Sequence, residues 1–131
     1  MKGVSIPSMT VPHTANAVLQ AGLELRLDGR TDWVGGRYLI NGSKVVDSAH
    51  ELRRDVFKYF PDDIKVCYSF YPTKTIGSAD GGAVCTMIKS LLIGLGQYLL
   101  MAGIKKHPKA LAGITILSIW VINVIGTICR R

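Results

Sequence analysis

Hydrophobic and polar positions change their spacing once along this chain. Up to about residue 80, apolar residues come singly or in short alternating runs. Beyond it, Gly82 to Ile104 and Ala110 to Cys129 are two nearly unbroken apolar runs separated by Lys105-Lys106-His107-Pro108-Lys109. At about 1.5 Å rise per helical residue the runs reach roughly 34 Å and 30 Å, enough for a hydrocarbon core about 30 Å thick. The pattern predicts a small α+β polar domain over residues 14–80, preceded by an extended arm over 1–13. An all-α two-helix transmembrane hairpin over 81–131 follows, with spans at about 82–104 and 110–129.

Within the polar part, Pro7 and Pro12 disfavour helix before them and predict the arm, which is free to lie across a partner. Thr14 to Gly22 reads as two helical turns, with Thr14 as N-cap and Gly22 just past the end. Leu23, Leu25 and Leu27 alternate with Glu24 and Arg26, as in a half-buried strand. Arg37 to Val46 contains Asn41-Gly42 between apolar residues, a β-hairpin with a type I′ turn; the same Asn41-Gly42-Ser43 is a glycosylation sequon, a weaker reading. Ser48-Ala49-His50-Glu51 matches a capping box and predicts a helix to Phe60, stopped by Pro61. Its polar side carries Arg53, Arg54 and Lys58, a candidate contact for an acidic partner or headgroup. Ile64 to Tyr71 alternates on both faces, a strand wanting cover from a neighbouring chain. Pro72 to Gly82 is a connector in which Ser78 or Asp80 can cap the first span.

Charge sharpens this division. Of the formal net charge of +7, residues 1–80 hold ten Lys/Arg against nine Asp/Glu, whereas residues 81–131 hold six Lys/Arg and no carboxylate. Basic residues flanking apolar segments anchor membrane helices, which assigns Lys89, Lys105, Lys106, Lys109, Arg130 and Arg131 to lipid headgroups and argues against nucleic acid. Lys89 lies inside the first run and reaches the interface by snorkelling. Met1 to Gly22 contains no apolar core of a secretory signal, and only Lys2 as a basic residue, so an uncleaved, internally targeted chain is expected. Cys67, Cys85 and Cys129 form no CxxC pair; buried thiols are the expectation and a Cys67–Cys85 disulfide the alternative.

Small and polar residues form a stripe in each run: Ser90, Gly94 and Gln97 in the first, Ala112, Thr115, Ser118 and Gly126 in the second, with Asn123 on another face. Such residues let helices approach and bond across, so they are assigned to helix–helix packing. Both termini share one side of the membrane, and the nearly balanced flanking charges leave the orientation open. His13, His50 and His107 are scattered, and no nucleotide, metal or catalytic motif is present.

These features predict a non-catalytic accessory or structural subunit of a multi-subunit membrane complex. It contacts other membrane subunits and anionic lipid, has no cofactor beyond a bound phospholipid, and fits a respiratory or ATP synthase assembly of the mitochondrial inner membrane. A bacterial inner membrane and a small lipid-binding regulatory protein are the alternatives. Lys105 to Ile122, the basic turn and the start of the second apolar run, is also similar in layout to type IV secretion pilins, which have two hydrophobic helices joined by a short basic turn. That resemblance covers the last 50 residues and implies a self-assembling subunit whose turn lysines face a shared lumen. The 80-residue domain and the missing signal peptide depart from that family.

Overall fold

The computed structural model describes residues 3–77, 81–87 and 114–115. Among these, strand β1 (Gly3–Pro7), helix α1 (Pro12–Gln20) and strand β2 (Glu24–Asp28) form a β-α-β unit in which β1 and β2 pair in parallel, Gly3 opposite Glu24 and Pro7 opposite Asp28. The segment expected to be a free arm is therefore a core strand. Val4 and Ile6 alternate with Ser5 and are almost completely buried, and that burial outweighs any tendency of the terminus to fray. Pro12 starts α1, where its missing N–H is no loss, and the residue before it, Val11, makes no side-chain cap. Thr14 is inside the helix rather than at its cap, because its hydroxyl is needed by the core. Gly22, at φ +69°, ends the turn as expected.

The second sheet has the order β3-β4-β5-β6-β7, built from β3 (Tyr38–Leu39), β4 (Val45–Asp47), β5 (Lys65–Ser69), β6 (Gly82–Thr86) and β7 (Ile114–Thr115). β4 and β5 run parallel; the other neighbours are antiparallel. β5 was expected to seek a neighbouring chain, but β4 and β6 flank it and both its faces are covered from within. Its alternation separates two clusters. Cys67 joins Val45, Val84, Tyr38 and Ile40 against β1 and α1, whereas Val66 and Tyr68 join Val46, Cys85, Val56 and Ile64 on the opposite face.

The hairpin between β3 and β4 forms with a wider turn than expected. The Ser43 N–H donates to the Ile40 carbonyl at 3.0 Å and Gly42 has φ +83°, while Asn41 keeps a negative φ, which describes a type II-like turn. Asn41 is held by β1: it and Ser5 exchange backbone hydrogen bonds at 3.0 Å each, joining the two sheets.

The helix expected from Ser48 to Phe60 is absent; this stretch is a chain of turns ending in one 3-10 turn, Val56–Tyr59. Both halves of the capping box are otherwise engaged. The Ser48 N–H donates to the Cys67 carbonyl (2.9 Å), extending the β4–β5 ladder, and its hydroxyl donates to the Glu51 carbonyl (2.7 Å). The Glu51 carboxylate pairs with Arg37. Asp55, at φ 59°, then interrupts any helical run.

Gly82–Thr86 is likewise a fully buried strand, not the opening of a span, so the first apolar run available to a helix begins at Met87. Ile114–Thr115, within the second run, pairs antiparallel with Val84 and Cys85. The rest of both runs, with Ser78 and Asp80, lies outside the described residues. No helix among the described residues is long and apolar enough to cross a membrane.

Candidate functional site: a basic, aromatic surface and its cleft

The crossover from β4 to β5 folds over the second cluster through Val56, Phe57, Phe60 and Ile64, which leaves its polar residues outside. Arg53 donates through Nη2 to the Tyr59 hydroxyl (3.0 Å), and its guanidinium carbon lies 4.4 Å from that ring's centre. From the approach to β3, Arg37 stands 5.8 Å from the Tyr59 ring and 5.7 Å from the Phe60 ring. Cation–π contact thus fixes Tyr59 between two arginines while leaving it 56% exposed. Arg54 is exposed, and Lys58 donates to Asp55 at 3.1 Å. The three basic residues anticipated as partner contacts do share this segment. Arg37, Glu51 and Tyr59 were missed, because the helical reading placed them apart.

Beside this surface an open, shallow cleft lies between the crossover and the 70–77 loop, lined by Ser48, Leu52, Tyr68, Phe70, Thr75 and Ile76 among others. It is a shallow surface groove with room for little more than a water molecule, and it is not a small-molecule pocket. Leu52 and Ile76 are half exposed at its rim. The Thr75 hydroxyl donates to the His50 carbonyl (2.9 Å), and Lys74 Nζ lies 3.0 Å from His50 Nε2, so the rim combines aliphatic surface with basic groups. Burial pushes the Tyr68 phenol up to about 12, keeping it neutral at the cleft floor.

A second polar group is buried under α1. Asp47 Oδ2 accepts from the Tyr38 hydroxyl (2.9 Å) and from Thr14 Oγ1 (3.1 Å), its Oδ1 accepts from the Ala49 N–H (3.0 Å), and the Thr10 and Tyr38 hydroxyls share a hydrogen bond at 2.7 Å. Burial, then the nearby Asp47 charge, raises the Tyr38 pKa. Among the described residues no buried side-chain nitrogen or oxygen is left without a partner. This network locks α1 to the sheet.

The described residues contain no cluster of His, Cys, Asp or Glu able to hold a metal ion. Cys67 and Cys85 form no disulfide and are buried on opposite faces of the sheet, which rules out the alternative disulfide on geometry. Burial pushes the Cys85 thiol up to about 11. Thr115, expected in a helix seam, sits in β7 opposite Val84. Lys89, Ser90, Gly94, Gln97, Lys105, Lys106, Lys109, Ala112, Ser118, Asn123, Gly126, Arg130 and Arg131 lie outside the described residues.

No family model, curated protein or solved structure matches this chain.

Proposed function

We propose that this chain is a non-catalytic structural subunit of a multi-subunit membrane complex, in an energy-transducing membrane such as the mitochondrial inner membrane. One observation carries the reading: from Met87 to Ile104 the sequence contains no carboxylate and a single lysine, and it is followed by the basic turn Lys105 to Lys109 and a second apolar run. At about 1.5 Å per residue the stretch from Met87 still approaches the thickness of a hydrocarbon core.

The sheet register supports a division of labour. β6 runs from Gly82, beside Ser69, to Thr86, beside Lys65, so the chain leaves the sheet at the end where Lys44 and Lys65 lie. The cleft, lined by Tyr68, Ser69 and Phe70, is at the other end, roughly 13 Å away along the strands. A domain seated on the bilayer by its exit end presents Lys65 to headgroups, with Lys44 held by Asp63 beside it, and turns the cleft toward neighbouring subunits, with Arg53, Arg54 and Lys58 on the crossover beside the cleft. The second span requires Ile114 and Thr115 to leave β6, since a residue cannot be in both a ladder and a spanning helix.

The test is alkaline carbonate extraction of native membranes carrying the tagged chain, followed by blue-native electrophoresis and mass spectrometry. Retention in the pellet and migration with dissimilar proteins are expected. Release into the supernatant overturns the membrane assignment, and a particle containing only this chain overturns the subunit assignment.

A further inference from the structure

We propose that β2 is a self-recognition edge, which pairs antiparallel with β2 of a second copy of this chain about a two-fold axis centred on Leu25. This inference stands on the first sheet and is independent of the membrane reading.

The exposed edges of the described strands are not treated alike. β1 is closed on its outer side by Asn41, and the outer side of β3 is blunted by Arg30, whose Nη1 and Nη2 donate to the Leu39 carbonyl at 3.4 and 3.3 Å. No strand among the described residues lies against the second edge of β2. The hydrogen-bond parity of that edge follows from its neighbours. Ser5 faces Asn41, and the Ser8 N–H donates to the Asp28 carbonyl (2.7 Å), so the backbone groups of Glu24, Arg26 and Asp28 point toward β1. Those of Leu25 and Leu27 point outward.

The sequence around Leu25 is self-complementary. Leu23-Glu24-Leu25-Arg26-Leu27, set antiparallel to itself about Leu25, places Leu23 opposite Leu27, Glu24 opposite Arg26 and Leu25 opposite Leu25. Parity agrees with charge in this register. The outward Leu25 amides exchange hydrogen bonds with each other, and each Leu27 N–H donates to the Leu23 carbonyl of the second copy. The Leu23 N–H stays with the Val18 carbonyl, which it already uses at 3.3 Å. Glu24 and Arg26 become close non-hydrogen-bonded neighbours across the interface. They already pair within the chain at 3.0 Å with side chains 48% and 67% exposed, so association redirects an existing ion pair rather than burying a new charge. It also covers Leu27, which a strand-period reading puts inside but which is 63% exposed.

Competing registers fit worse. Centring on Arg26 satisfies the same outward amides, Leu25 opposite Leu27, but sets arginine against arginine and Glu24 against Asp28, so charge alone rejects it. Centring on Leu27 draws on Asp28, which Arg30 and Ser5 already hold.

Sedimentation equilibrium of the full chain in a mild detergent tests this with charge reversals. The wild type should show a concentration-dependent dimer. Arg26→Glu and Glu24→Arg should each weaken self-association about tenfold by opposing like charges across both pairs. An equimolar mixture of the two variants should recover the dimer as a heterodimer, and the double variant Glu24→Arg/Arg26→Glu should recover it alone, which separates pairing from any effect on folding. A wild type monomeric at every concentration, variants that associate like the wild type, or a mixture that does not recover would each overturn the proposal. Loss of the membrane reading would leave these outcomes unchanged.

Discussion

Asp47 collects a tyrosine, a threonine and a backbone amide from three parts of the chain in a nearly dry site. Removing it orphans the Tyr38 and Thr14 hydroxyls. Asp47→Ala should cost about 3 kcal/mol in denaturant unfolding, and Asp47→Asn clearly less because the acceptor oxygen is retained. Asp28 acts at the surface by a different route. Hydrogen bonding from Arg30, then from Ser5, lowers its pKa from 3.8 to about 2. Because the folded value is the lower one, the contribution is complete above about pH 4 and fades as pH falls through 2. Lys44 shifts Asp63 the same way. Unfolding midpoints followed from pH 6 to 2 should therefore drop on the acid side, and Asp28→Asn should flatten part of that drop. An unchanged slope would show that the Arg30 pair is not maintained in solution.

Among the elements, the turn after β3 is tightly constrained. A Cβ at Gly42 would sit 2.7 Å from the Gly3 carbonyl oxygen, on a residue at φ +83°. Gly42→Ala should destabilise by about 2–3 kcal/mol, since strain and the loss of the sheet-to-sheet approach add. Gly35→Ala, at φ +76° with open space around it, should cost only about 1 kcal/mol. Thermal melts of the two variants compare them directly. The same elements show what the residues alone convey. Alternation identified β5 and β2, and Asn41-Gly42 identified the hairpin, because periodicity and turn chemistry are local. The capping box misled because Ser48 N–H and the Glu51 carboxylate are claimed by Cys67 and Arg37, partners distant in sequence. β1 was hidden by Pro7 at its end and Pro12 beyond it, and β6 by an apolar sequence that suits a buried central strand and a membrane helix equally well. The Arg37–Tyr59–Arg53 stack was invisible for the same reason: three side chains from separate segments meet only once the sheet exists.

At the scale of the whole molecule, β6 decides where the folded unit ends. A boundary at residue 80 would remove Val84 from one core cluster and Ala83 and Cys85 from the other. A fragment ending at Asp80 should melt without a cooperative transition, whereas one ending at Met87 should recover a sigmoidal melt; equal behaviour would mean that β6 adds nothing to the core. Isolated strands and a short helix gain their stability from such shared burial, so losing a fully buried strand is felt on both faces at once.

Met87 follows Thr86 without a spacer, so the last residue of a core strand is also the doorstep of the apolar stretch. In a membrane-seated chain that arrangement works as a stiff bracket rather than a leash. The heading of β6 sets the heading of whatever enters the lipid, and the domain cannot swivel without tearing its own sheet. Orientation relative to neighbouring subunits would then be inherited from the fold instead of being found anew at each encounter.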